Sequence, residues 1–568
     1  MAQYFSPGVY VEEYDNSPRA IEGIGTSVAG FVGFAEKGPT EGAPTLVTSY
    51  REFVRLFGKP LSEFEYGEYR YLAPSVEQFF INGGSSCYVV RVAVPGAKKA
   101  AAQKGVLSLE AANAGKWGNR IQVTLTSVAK RKMQIVGKNG ETFVAKSIDG
   151  FREGDLVCCN GEYNKIKAIF DNTVSFEKSF EGKIVDTALV PKTVVYLVET
   201  DISVRCGEEV ETYRGISFNI ANPNYIAYRM ANSELVTVEV APSEEIANPV
   251  AAILGEESES GMFTLEGGQD GTVSQADAGT FIGEDNGPGQ RTGLEAFVES
   301  QNVNMLLAPG ITIPEVLVAM VGQCENLKNR FAILDMPKDT TKVKDLLEYR
   351  EMIDSSYAAM YHPWIQVFDR ASNKQGIVPP SGAVAGVYAR TDATRGVHKA
   401  PANETIFATG LSVNYNKAEQ DHLNPAGVNL IRTIPGQGIR VWGARTASSN
   451  SNFKYVNVRR LFIYVEESIK ANTNWVVFEP NDAALWDRVR MTVAGFLENM
   501  WRAGMLAGST ATEAYFVEIG PETMSREDIA NGRLVCNIGI APSKPAEFVV
   551  FRVTQFTAEA EAAEATEE

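Results

Sequence analysis

The chain predicts an α/β and α+β multidomain protein. Its parts are a mixed core sheet flanked by helices, inserted β-rich outer domains of barrel or sandwich type, and extended terminal arms. Strand-like and helix-like segments alternate from Asn304 to Phe368, which implies a mostly parallel sheet covered by helices. Short alternating runs from Lys132 to Phe176, separated by GKNG, DGFREG, NGEYN and FDN, imply a small antiparallel barrel or sandwich. The first 24 residues alternate like a strand around Val9, Tyr10, Val11 and Glu12 and are bracketed by Pro7 and Pro18, so they read as an arm whose backbone needs an outside partner.

Each element has a local reason. In residues 75–82, Val76, Phe79 and Phe80 recur at helical spacing before Gly83-Gly84. CYVVRVAV (87–94) reads as a buried strand, and AGKWGNRI (114–121) turns into another. A second β-rich portion runs to about Val240, followed by the helix-like SEEIANPVAAIL. Beyond Gly293 come a strand at 304–307, a helix at 314–328 with Pro in its first turn, a strand at 331–335, and a helix to about Met352 for which Asp339 is the expected cap. The last helix has Asn481 and Asp482 as caps. Its apolar face is Leu485, Trp486, Val489, Val493, Phe496, Leu497, Met500 and Trp501. The apolar run Glu547 to Val553 reads as a final strand.

Composition narrows the function. At roughly 100–200 residues per domain, 568 residues allow three or four domains. A net charge of −17 argues against nucleic-acid binding, which needs clustered Lys and Arg. The run from Thr557 supplies five of the acids and reads as a disordered, solvating tail. None of the six cysteines forms a C-x-x-C pair, which suits a reducing cytoplasm. The N-terminus lacks a signal peptide, and no stretch approaches the ~20 apolar residues of a membrane span.

No catalytic, cofactor or metal site is predicted. His362, His398 and His422 have no metal-ligand spacing. Gly436-Gln437-Gly438 is only a fragment of a dinucleotide loop. GGQDG at 267–271 lacks the carboxylates of a calcium loop and reads as a turn. Asp335 stands at the carboxyl end of a strand, where α/β enzymes place reactive groups, but no base or nucleophile accompanies it, so it reads as a helix-entry residue. The segment Pro379 to Asn403, rich in Gly and Ala, reads as built to lie in a fixed shape against something else. From Leu430 to Val465 there is no Asp or Glu, yet Arg432, Arg440, Arg445, Arg459 and Arg460 lie there with Lys454. They read either as a basic contact surface or as partners for carboxylates elsewhere in the fold.

Ten segments carry a resemblance: SPGVYVEE (6–13), GTSVAGFVGFAEKGP (25–39), FFINGGSSCYVVRV (79–92), AGKWGNRI (114–121), PPSGAVAGVYARTD (379–392), LNPAGVNLIR (423–432), WGART (442–446), YVNVRRLFIYVEESI (455–469), FEPND (478–482) and APSKPAEFVVFRV (541–553). Together the chain resembles the sheath proteins of contractile phage tails and related injection machines over about 5–125 and 293–556. The resemblance implies a strand-donor arm at 1–24, the first part of the core at 25–127, outward-facing insertions at 128–292, a βαβαβ unit at 293–375, a tube-facing C-terminal unit at 376–556, and a tail at 557–568. It implies donor strands at Val9, Tyr10, Val11 and Glu12 and at Phe548, Val549, Val550 and Phe551. The arginines 432, 440, 445, 459 and 460 become candidate tube or subunit contacts.

Implied partners are further copies in stacked hexameric rings, an inner tail tube protein, and baseplate and tail terminator proteins. No cofactor, direct nucleic acid or membrane insertion is implied. The implied place is a virion tail, or an injection particle assembled in the host cytoplasm. The sequence leaves phage tail, bacteriocin and injection system undivided. The competing class is an α/β enzyme with a β-rich accessory domain.

Overall fold

The computed structural model describes residues 20–180, 193–241, 248–255, 259–369, 373–550 and 552. Its largest element is a nine-stranded sheet drawn from three distant stretches of chain. In chain order the strands are β1 (Ala29–Gly33), β2 (Thr45–Val47), β3 (Cys87–Arg91), β4 (Met305–Leu307), β5 (Phe331–Asp335), β6 (Ala358–His362), β7 (Glu404–Thr405), β8 (Val428–Ile434) and β9 (Gly438–Val441). Their spatial order is β2-β3-β1-β4-β5-β6-β8-β9-β7. The six from β3 to β8 run parallel, and antiparallel strands close both edges. The intervals 25–127, 293–375 and 376–556 therefore share one sheet.

Both faces are covered, so the central strands are apolar throughout rather than alternating. In β5, Phe331 and Ile333 face one core with α1 (Tyr50–Phe57), α2 (Leu72–Ile81) and α5 (Ser381–Arg395). Ala332 and Leu334 face the other, with α3 (Pro314–Leu327) and α4 (Val343–Glu351). The expected strand–helix alternation from 304 to 368 is present. Asp339, the expected cap of α4, lies in the preceding turn, and no side chain caps that helix.

The Gly/Ala-rich segment forms α5, which is buried along ten of its fifteen positions. Its partner lies within the same chain. Gly382 and Gly386, one turn apart, let α5 approach α2 backbone to backbone. A Cβ at these positions would stand 2.3 Å from the Ser75 carbonyl oxygen and 2.5 Å from that of Phe79. Asp335 governs entry to this helix rather than to α4. Its Oδ1 accepts from the Ser381 N–H at 2.8 Å, and its Oδ2 accepts from the Ser381 hydroxyl at 2.6 Å and the Gly310 N–H at 3.0 Å.

Residues 132–197 contribute six strands to a closed barrel. Met133, Ile135, Val157, Ile166, Val174 and Val195 fill it, as the alternating runs require. The second β-rich portion crosses the boundary expected at 127/128. Gln122–Val128 pairs with Glu199–Cys206 and Ser260–Thr264, and Leu107–Ala111 pairs with Val236–Val240. That unit therefore begins near Ala101. Turn spacing reveals strands but not which distant strand each will join.

The C-terminal part packs α6 (Val456–Asn472) against α7 (Ala483–Arg502). Asp482 caps α7, accepting from the Leu485 N–H at 2.9 Å. Six of the eight expected apolar-face residues are buried, while Trp486 and Trp501 are half-buried. A two-stranded antiparallel sheet, β10 (Tyr515–Ile519) with β11 (Cys536–Ile540), follows. None of the six cysteines is joined in a disulfide.

Candidate assembly site

Both ends of the described chain are fastened near α6. At the first end, Ile21 is buried against the α6–α7 core. The Ile24 N–H donates to Ser468 Oγ at 3.2 Å, and Asn472 Nδ2 donates to the Glu22 carbonyl at 2.9 Å. Thr26 donates through Oγ1 to Asp392 Oδ2 at 2.6 Å and accepts at its carbonyl from Arg460 Nη2 at 2.9 Å. Gly23 passes under Tyr464, where a Cβ would lie 1.9 Å from the phenol oxygen, so a larger residue there requires the Tyr464 ring to shift. The expected donor residues Val9, Tyr10, Val11 and Glu12 lie outside the described residues.

At the other end, residues 541–547 are held at three points. The Ala541 N–H donates to the Ala514 carbonyl at 2.8 Å. Asn457 Nδ2 donates to the Ser543 carbonyl at 3.1 Å. Glu547 receives Arg445 through Nε at 2.7 Å and Nη2 at 2.6 Å, with Asn424 Nδ2 at 2.7 Å and the Tyr455 hydroxyl at 3.0 Å. Burial pushes the Glu547 carboxyl up, but these hydrogen bonds and the Arg445 charge outweigh it and hold the group below the ordinary glutamate value. Immediately beyond, Phe548, Val549 and Val550 are 74%, 68% and 76% exposed and belong to no strand. Phe551 lies outside the described residues.

The five arginines divide. Arg460 pairs with Asp392 at 2.5 Å, both side chains 4% exposed. Arg459 is buried between the rings of Phe453 and Tyr357, at 3.5 and 4.4 Å from their centroids, and donates to Ser356 Oγ at 3.0 Å. Arg445 is buried on Glu547. These three are internal partners, the second of the two sequence readings, and in this chain they form no exposed basic surface. Arg432 and Arg440 are half-buried. Arg432 donates to Gln420 Oε1 at 2.5 Å and Arg440 to the Asn403 carbonyl at 2.6 Å.

Asn424, Asn429, Tyr455, Asn457 and Asp392 complete these anchors and were not singled out from sequence. Their signal was a polar side chain inside an otherwise apolar run, as in LNPAGVNLIR and YVNVRRLF. Buried polar groups of that kind need partners. The hairpin β10–β11 offers a further feature. Among the described residues, neither of its outer edges is paired with another strand. Phe516 lies across Gly539, its register partner, and remains 52% exposed.

The residues weighed for catalysis are dispersed. His362 is buried and hydrogen-bonded to the Tyr415 hydroxyl at 2.9 Å, burial alone lowering its pKa to about 4. Gly436 and Gly438 form the turn between β8 and β9 at φ 73° and 80°. No group of His, Cys, Asp or Glu among the described residues could hold a metal ion, and no described helix is long and apolar enough to cross a membrane.

Over nearly the whole chain the fold is similar to an extracellular contractile injection system, the PVC sheath complex in its contracted state, with TM-score 0.54, 22% identity and coverage of 98% of this chain and 100% of that one. It is likewise similar to the helical sheath of the anti-feeding prophage in its contracted state, with TM-score 0.52, 21% identity and coverage of 97% and 99%.

Residues 283–447 match the phage tail sheath protein central domain and residues 448–556 the phage tail sheath C-terminal domain. The chain is 30% identical over 290 residues to a putative prophage major tail sheath protein of Pseudomonas aeruginosa, covering 49% of this chain and 73% of that one. It is 26% identical over 400 residues to the tail sheath protein of Burkholderia phage BcepMu, covering 61% and 82%. The chain belongs to the phage tail sheath family. It is a structural subunit of a contractile tail sheath, and not an enzyme.

Proposed function

We propose that copies of this chain polymerise as stacked hexameric rings around an inner tail tube in a metastable extended state. On a baseplate trigger, the sheath shortens and drives the tube through a target envelope. Subunits are joined by strand addition. The arm at Val9 to Glu12 and the segment Phe548 to Phe551 donate, and the open edges of β10 and β11 accept. The single observation that carries this reading is the pairing of deficits in one subunit. An apolar triplet, Phe548-Val549-Val550, lies exposed and outside any strand, eight residues beyond a two-stranded sheet whose outer edges pair with no other described strand. A lone two-stranded sheet is marginal in water, and an open edge is a template for another chain. Added strands supply main-chain hydrogen bonds, and a heterologous contact of this kind propagates a helix instead of closing a dimer.

The tube protein, baseplate and tail terminator are the proposed partners, with Arg432 and Arg440 as the candidate contact residues that remain half-buried rather than enclosed. The proposed place is a virion tail or an injection particle assembled in the host cytoplasm, without contact to nucleic acid or insertion into a membrane. Electron microscopy tests the reading. Purified full-length protein should form long hollow cylinders, and chains lacking residues 1–19 or ending at Glu547 should keep their circular dichroism but remain unassembled. Cylinders from both shortened chains would refute strand donation.

A further inference from the structure

We infer that the Arg445–Glu547 clamp is the positioning device of the C-terminal arm, fixing the point and direction at which the apolar donor segment leaves the body of the subunit. The inference rests on the strand-donor reading above. Arg445 is itself placed by Asn429. Its N–H donates to Asn429 Oδ1 at 2.7 Å, and its carbonyl accepts from Asn429 Nδ2 at 2.7 Å. The same amide nitrogen also reaches the Met360 carbonyl at 3.1 Å. Asn429 and Met360 belong to adjacent parallel strands, β8 and β6, so the Arg445 backbone is tied to the sixth and seventh strands of the nine-stranded sheet.

The other half of the clamp is saturated. Both Glu547 oxygens are engaged, by a bidentate arginine and by Asn424 and Tyr455 from two further elements. A bidentate guanidinium–carboxylate pair fixes direction as well as distance. Lys454 adds positive charge at 4.0 Å. The anchoring then stops within one residue. Glu547 is half-buried and fully bonded, while Phe548 is 74% exposed.

That abrupt change has a physical consequence. A donor strand must find one edge on one neighbour. Its effective concentration there depends on the length and stiffness of whatever tethers it. With the clamp closed, the tether begins at Glu547. With it open, the nearest remaining polar anchor is Ser543, and four more residues join the flexible tether. Ordering those residues on assembly then opposes strand addition.

The test compares Glu547→Gln and Glu547→Asp with a chain ending at Glu547. The readouts are monomer melting, chymotryptic cleavage after Phe548, and the critical concentration for cylinders. The expected result is a critical concentration raised on the order of tenfold and faster cleavage in both point variants, with body melting close to wild type. Suppose the truncated chain fails to assemble while both point variants assemble and are cleaved as wild type. The clamp inference is then overturned and strand donation stands. Cylinders from the truncated chain would overturn donation and the clamp together. If leaving Arg445 unpaired melts the body, the double variant Arg445→Met with Glu547→Gln opens the clamp without stranding a buried charge. Wild-type cleavage and assembly in that variant would overturn the inference.

Discussion

Arg460 on α6 and Asp392 on α5 meet at 2.5 Å with only 4% of either side chain exposed, and Thr26, near the start of the described chain, hydrogen-bonds to both. One enclosed ion pair thus joins the root of the N-terminal arm, the central interior helix and the first helix of the C-terminal unit. Such a pair is costly to break, because the survivor is left charged and unsolvated. Asp392→Ala should destabilise the monomer by about 3–5 kcal/mol. Urea unfolding measures it, and a change below about 1 kcal/mol would show that the pair is replaceable.

Arg459 and Arg440 should behave oppositely on charge reversal. Arg459→Glu removes a double cation–π contact and places a carboxylate in a buried site near Glu466. A loss of about 3 kcal/mol or more of monomer stability is expected. Arg440→Glu loses bonds to Asn403 at a half-buried position, a cost of about 1 kcal/mol. Its larger effect should fall on assembly and weaken with salt. Thermal melting beside sedimentation at two ionic strengths separates the two; equal melting losses would contradict the burial difference.

Gly386→Ala tests the helix contact at the centre of the fold. Alanine gains about 1 kcal/mol of helix propensity. Its methyl, however, would lie 2.5 Å from a carbonyl oxygen of α2, and backbone cannot swing aside as a side chain can. Overpacking of this kind costs about 1–3 kcal/mol, so the net effect should be destabilising. Gly25→Ala, with no atom within 4 Å of the added carbon, should be near neutral in the same denaturation series.

Asp335 should impose an acid-side stabilisation. Burial pushes its carboxyl up to about 6, against the hydrogen bonds from Ser381 and Gly310 that pull it down. A folded value above the unfolded value of about 3.9 means the contribution is complete below about pH 4 and is lost as pH rises through 6. Asp335→Asn cannot titrate. The wild-type minus variant difference in unfolding free energy should therefore be larger at pH 4 than at pH 7, by about 2 kcal/mol for a displacement of two pH units. A difference that grows toward neutral pH would refute the assignment.

The barrel should be removable. Val128 and Glu199, which flank it, are register partners in adjacent antiparallel strands, so the chain leaves and re-enters the sheet at one place. Replacing residues 129–198 by Asn-Gly makes a two-residue hairpin loop with the backbone preference such turns need. The shortened chain should remain soluble, melt cooperatively and form cylinders. Insoluble expression would show that Asp155, bonded to Asn219 and Asn222 outside the barrel, is part of a shared core.

The strands and helices from 304 to 352, five of the six barrel strands, the Asp482 cap and the apolar face of α7 were legible in the chain alone. They depend on periodicity and capping, which act over one or two turns of backbone. The family was legible for the same reason, because its marks are short contiguous runs. The tertiary structure decided the rest. It joined Gln122–Val128 to strands nearly eighty residues and more away, drew three stretches into one sheet, and turned the Gly/Ala-rich segment inward onto α2. It also took Arg445, Arg459 and Arg460 out of solvent. An acid-free run of arginines states only that carboxylates and rings must be found elsewhere. Which ones are found, Glu547 for Arg445 and Asp392 for Arg460, depends on contacts between residues 102 and 68 positions apart. No local pattern encodes such contacts, because they exist only once the apolar cores have closed.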